Sequence, residues 1–93
     1  MLEVIVALTL MLTNAGMSQK EVVCSLELVR IESNYHLHST NSSSGAYGLF
    51  QLMGIAKKLS MKEQVTRFDK YIKHRYKNNT CVALGHLRSK HWY

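Results

Sequence analysis

Positions 4–12 are apolar except for Thr9. A run this short does not cross a bilayer, which takes roughly 20 residues. It predicts a first helix over residues 2–13, stopped at Asn14-Ala15-Gly16, with Gly16 suited to a left-handed position past the helix end. The run also has the look of a signal-peptide core, with Thr13-Asn14-Ala15 as its cleavage site. Glu3 precedes it and no Lys or Arg does, so it reads as a packed helix rather than an export signal. Ser18-Gln19-Lys20-Glu21 has the form of a capping box and opens a second helix over residues 19–33. Val22, Leu26 and Val29 form the core stripe of that helix, with Lys20, Glu27 and Arg30 on the opposite side. Residues 36–44 are a polar loop dense in Ser, Asn and Thr. Gly45-Ala46-Tyr47-Gly48 breaks the polarity, and the apolar run from Leu49 to Met53 predicts a short helix continuing through Lys58. A second capping box, Ser60-Met61-Lys62-Glu63, opens a helix ending near Lys77, with Val65, Phe68, Ile72 and Tyr76 on one stripe. Asn78-Asn79-Thr80 turns the chain into a last helix over residues 81–90. His91-Trp92-Tyr93 either docks on the body or borders a ligand groove. The expected fold is all-α, about five helices packed around the one that ends in Glu32.

Composition narrows the architecture. A chain of 93 residues, 46% hydrophobic, has room for one small domain over residues 1–93. Residues 1–17 are then an apolar helix and linker, and residues 18–93 the functional core. The absence of proline leaves the helices uninterrupted. A core this thin calls for a staple. Cys24 and Cys81 could form one, although two separate buried thiols fit the residues equally well. Neither belongs to a Cys-x-x-Cys pair, which excludes a zinc ribbon. The His36-x-His38 pair lacks further ligands and reads as loop polarity, so neither metal nor cofactor is expected.

The net charge of +6 is unevenly spread. Before Lys57 the chain is net acidic, and from Lys57 on it carries ten Lys and Arg against Glu63 and Asp69. Such a basic half suits a polyanion such as nucleic acid, an anionic membrane or a bacterial wall, or is a solvated helical face.

Glu32 is the residue that points to chemistry. It lies three positions past Val29, near the apolar face and at the negative end of the helix dipole. Both circumstances favour the protonated carboxyl, which could then donate a proton near neutral pH, although position alone fits an ordinary exposed Glu at a helix end better. No acidic residue occurs from Ser33 to Lys62. This suits a mechanism with one catalytic carboxylate rather than the close pair most glycosidases use.

Glu32-Ser33-Asn34-Tyr35, a polar loop, and then Ser44-Gly45-Ala46-Tyr47-Gly48-Leu49-Phe50-Gln51-Leu52-Met53 resembles the core signature of lytic transglycosylases, in the lysozyme-like superfamily. The similarity extends to small phage-type and secreted members. Tyr71-Ile72-x-x-Arg75-Tyr76 precedes a Cys, the domain ends in Trp-Tyr, and Cys24 stands eight residues before the Glu. Residues 18–93 carry the resemblance. It implies that Glu32 is the acid/base that cleaves the bond between N-acetylmuramic acid and N-acetylglucosamine and forms 1,6-anhydro ends, or hydrolyses it where water enters. It implies that Ser42, Gly45, Tyr47, Gln51 and Met53 line the sugar sites, with Gly45 and Gly48 keeping backbone amides close to the glycan. It also implies a Cys24–Cys81 disulfide, in the oxidising setting such enzymes work in.

The family's later Asn-Tyr-x-Ala-Gly motif is replaced here by Val82-Ala83-Leu84-Gly85-His86, so Tyr76 or His86 is expected to fill the space beside Glu32. The segment between Met53 and Glu63 is short, which implies a reduced groove. The expected partners are peptidoglycan glycan strands and other proteins of a phage virion, without nucleic acid and without a stable membrane span. The expected location is a phage virion or the bacterial periplasm or exterior. The competing expectation is a lysozyme-like module that has lost its chemistry and holds wall or another polyanion through its basic half.

Overall fold

The computed structural model describes residues 1–55 and 58–93. Four helices make up the architecture, with no strand among the described residues: α1 (Leu2–Asn14), α2 (Gln19–Ser33), α3 (Met61–Tyr76) and α4 (Thr80–Lys90). No helix among the described residues is long and apolar enough to cross a membrane.

Each boundary has a local cause. Both expected capping boxes form. Ser18 Oγ accepts from the Glu21 amide at 3.2 Å, and Glu21 accepts back from the Ser18 amide at 3.1 Å. Ser60 and Glu63 repeat the arrangement at 3.1 and 3.0 Å. Asn79 caps α4 by accepting from the Cys81 and Val82 amides. At their C-terminal ends α2 and α3 stop on left-handed residues, Asn34 and Lys77.

Helix α2 packs on α1 and α4, and α3 closes the far side against the same two helices. The backbones of α2 and α3 do not approach each other closely. The buried segment of residues 46–50 bridges them instead: Phe50 stacks on Phe68 of α3 at 4.0 Å between ring centres, and Ser33 of α2 holds Leu49. Leu8, Leu12, Leu28, Val29 and Ile72 complete the core around these residues. The Val22–Val29 stripe of α2 faces inward as expected, with Leu26 half-buried at its edge. On α3, Val65, Phe68 and Ile72 are buried, and Tyr76 is half-buried.

Four helices replace the expected five, because the apolar run after Gly48 does not form one. Residues 48–51 are a turn, and Tyr47 and Leu52 pair across it, each amide donating to the other's carbonyl at 3.0 and 3.2 Å. The reason is backbone geometry. Gly48, Gln51 and Gly54 all adopt positive φ, at 86°, 51° and 76°, and a right-handed helix cannot pass through them. Ala56 and Lys57, through which that helix was expected to run, lie outside the described residues.

The two cysteines are joined. The Cys24–Cys81 disulfide ties the middle of α2 to the start of α4 across a sequence separation of 57. Thr80, beside it, donates to the Glu21 carbonyl at 2.7 Å and registers the same two helices.

Candidate active site

Glu32 occupies the last turn of α2, on the floor of a cleft of about 750 Å³. Its side chain is half-buried, and desolvation raises its pKa above the ordinary carboxylate value of 4.5. Among the described residues it has no hydrogen-bond or ion-pair partner. The carboxyl is therefore held in the protonated form to higher pH than a solvated Glu, with its proton free to be donated.

Three contacts hold that helix end. The hydroxyl of Ser33, the next residue, donates to the Leu49 carbonyl at 2.8 Å. His36 Nδ1 donates to the Ser33 carbonyl at 2.9 Å. Tyr35, with positive φ, turns back so that its hydroxyl donates to the Leu26 carbonyl at 3.0 Å. The Glu-Ser-Asn-Tyr sequence thus makes one rigid corner, with the carboxyl on its open side.

The glycine-bearing loop forms the opposite wall. Gln51 lines the cleft, and its amide donates to the Ser39 and Gly48 carbonyls at 3.0 and 2.9 Å. Met53 lines it too and is well exposed. Ser42 and Gly45 do not reach the cleft. Their loop neighbours Asn41 and Ser44 do, in a turn where Asn41 Oδ1 accepts from the Ser43 and Ser44 amides. Tyr47 lies buried behind the loop. Its hydroxyl accepts from the Leu59 amide at 3.1 Å and shares a short hydrogen bond with His38 Nδ1, so it supports the wall without lining it.

Tyr76 and His86, expected beside Glu32, also stand one layer back. Tyr76 donates to the main-chain oxygen of Tyr93 at 2.8 Å, and His86 Nδ1 donates to the Trp92 carbonyl at 2.7 Å. Neither lines the cleft. They anchor the residues that do, because the adjoining wall is built from Tyr71 and from His91, Trp92 and Tyr93. The final aromatics divide between the core and the cleft edge. Tyr93 docks in the core, where its hydroxyl donates to the Phe50 carbonyl at 2.5 Å. Trp92 stays 54% exposed on the cleft edge, with the Arg75 guanidinium 5.0 Å from its ring centre. Burial pushes the Tyr93 phenol well above its ordinary pKa, and the nearby Glu32 charge adds to that shift. Glu32 and Tyr93 are therefore electrostatic neighbours.

On α3, sequence reasoning missed four contributors. Arg67, Lys70 and Tyr71 on α3 line the cleft, and no local pattern marks a helix face as one wall of a groove. Gln64 is the fourth. Buried on α3, it accepts from the Leu49 amide at 2.8 Å and donates to the Leu37 and Leu59 carbonyls at 2.9 and 3.2 Å. A polar residue four positions before Phe68, on the apolar face, was the available signal.

Comparison with protein-family models, curated proteins and solved structures finds no match to this chain.

Proposed function

We propose that this protein is a peptidoglycan-degrading muramidase of the lytic transglycosylase kind, on a lysozyme-like fold, with Glu32 as its general acid and base. The observation that carries this reading is Glu32 itself: a desolvated carboxyl, unpaired among the described residues, that lines a cleft of about 750 Å³. The Glu-Ser and Gly-Ala-x-Gly-Leu segments that resemble the transglycosylase signature are joined by the Ser33–Leu49 hydrogen bond at that groove.

In this reading the protonated Glu32 gives its proton to the glycosidic oxygen between N-acetylmuramic acid and N-acetylglucosamine, and the bond to the anomeric carbon breaks. The carboxylate then takes the proton of the muramic acid 6-hydroxyl, whose oxygen bonds to the same anomeric carbon. A 1,6-anhydro end forms, no water is consumed, and Glu32 returns to its protonated state. Gln51, Met53 and Trp92 flank the sugar path. A disulfide is compatible with an oxidising compartment, and the periplasm or a phage virion reaching the wall is the setting proposed here.

Mass spectrometry of fragments released from purified peptidoglycan tests the reading. The wild-type protein is expected to release anhydro-muropeptides, and Glu32→Gln to lose that release by a hundredfold or more, on the order of a general acid–base contribution. Reducing-end products would make the enzyme a lysozyme. A folded protein that releases nothing from any wall type would overturn the proposal.

A further inference from the structure

Three charged side chains line the cleft, and their arrangement is uneven. Glu32 is on the floor, and Arg67 and Lys70 stand on the α3 wall. Arg67 and Lys70 are three residues apart and so share one helix face. Neither has a hydrogen-bond or ion-pair partner among the described residues. Asp69, between them in sequence, turns away to pair with Lys73 at 2.8 Å and lines a separate hollow. Nor does Glu32 neutralise them. No ion pair joins it to either cation, and burial alone accounts for its raised pKa. Apart from His91, the other polar residues of the lining, among them Asn41, Ser44 and Gln51, offer neutral groups. The cleft therefore has two cations on α3 that no acid among the described residues pairs with.

We infer that Arg67 and Lys70 form a carboxylate-recognising subsite that reads the acidic arm of the muramyl sugar while the sugar ring lies over Glu32. This rests on the peptidoglycan reading above and adds which glycan the cleft prefers. A neutral sugar offers these cations only hydroxyl and amide oxygens. A carboxylate offers charge-assisted hydrogen bonds, to which a guanidinium can contribute two in parallel. That carboxylate has two sources of the same chemistry: the lactyl group itself on a peptide-free strand, or the acidic residues of a stem peptide attached through it. Both cations are exposed, so each contact is screened and modest, and their joint effect is selectivity rather than tight binding.

Binding measured by calorimetry in the Glu32→Gln background, where ligand stays intact, tests this. The ligands are soluble peptide-bearing glycan strands, the same strands stripped of peptide by an amidase, and neutral chitohexaose. The parent is expected to prefer the carboxylate-bearing strands, and Arg67→Gln with Lys70→Gln to reduce that preference about tenfold, with loss of its salt dependence. Charge reversal at both positions is expected to invert the preference. Collapse with peptide-bearing strands alone assigns the subsite to the stem peptide, collapse with the stripped strands alone assigns it to the lactyl carboxylate, and collapse with both shows that it accepts either. An unaltered ratio in folded variants overturns the subsite while leaving the muramidase reading in place. A folded parent that binds no glycan at all overturns both.

Discussion

The hydroxyl of Ser33 donates to the main-chain carbonyl of Leu49 at 2.8 Å, across 16 residues of sequence. It also lies 3.2 Å from the Val29 carbonyl in its own helix, so one proton is shared, mainly with the closer acceptor. Because Ser33 follows Glu32, this bond fixes the height of the carboxyl against the glycine loop. Ser33→Ala leaves the Leu49 carbonyl without its side-chain donor in a buried position. It is expected to cost about 1–2 kcal/mol in urea unfolding. It is also expected to slow muropeptide release by more than the loss of folded protein explains. Release that tracks the folded fraction alone would limit Ser33 to a structural role.

Gly48 and Gln64 form a second constraint on the same loop. At Gly48 φ is 86°, and a Cβ there would lie 2.3 Å from Gln64 Oε1. Gly48→Ala therefore meets backbone strain and displaces a buried amide that serves Leu49, Leu37 and Leu59. The expected loss is about 2–4 kcal/mol, from the strain of a left-handed alanine plus the buried groups left unpaired. Gln64→Leu removes all three hydrogen bonds without the strain and is expected to cost a similar amount. A thermal melt of each variant checks this, and a Gly48→Ala protein as stable as wild type would show that Gln64 has room to retreat.

These two relationships mark where the sequence stops being legible. The helices were readable because their signals are local: two capping boxes, an asparagine cap, and apolar stripes at helical spacing. Glu32 was readable for the same reason, as a carboxyl at a helix end beside an apolar face. The run from Leu49 to Met53 was misread as helix because five residues carry too little periodicity to separate a buried turn from a helical one. Its outcome depends on the left-handed Gly48 and Gln51 and on Gln64, fifteen residues past Leu49. The cleft-lining cations of α3 and the setback of Tyr76 and His86 are tertiary facts. They follow from how α3, α4 and the final aromatics meet.

The disulfide supplies a separate test of the architecture. It closes a loop of 57 residues between the helices that pack most extensively, α2 and α4. The chain-entropy model gives such a bridge about 4 kcal/mol, a large share of what a domain of this size holds. Replacing both cysteines by serine is expected to lower the urea midpoint sharply or abolish folding at ambient temperature. The Thr80–Glu21 and Arg88–Glu27 contacts then remain to register α4 on α2. A double variant as stable as the oxidised protein would mean that the packing of α2 on α4 suffices without the bridge.

Glu32 links stability to pH with a sign opposite to that of a salt-bridged acid. Its folded pKa is raised above the ordinary value of 4.5 by desolvation, so the folded state binds its proton more tightly than the unfolded state does. Its contribution is therefore fully present below the unfolded pKa and is lost as pH rises through the folded pKa. Above that point the folded protein carries an ionised, half-buried carboxylate. Glu32→Gln keeps the shape and removes the ionisation, so it is expected to gain stability relative to wild type between about pH 4 and about pH 7. The gain is small, because the carboxyl is only half-buried and partly screened by solvent. Urea unfolding of both proteins at the two pH values measures it, and a gap that does not change with pH would mean the carboxyl is solvated. Glycan cleavage follows the same titration. General-acid activity is expected to decline on the alkaline side at a pH above the range of a solvated Glu. Adding Arg67→Gln and Lys70→Gln is expected to leave that limb where it is, because neither cation contributes to the Glu32 shift.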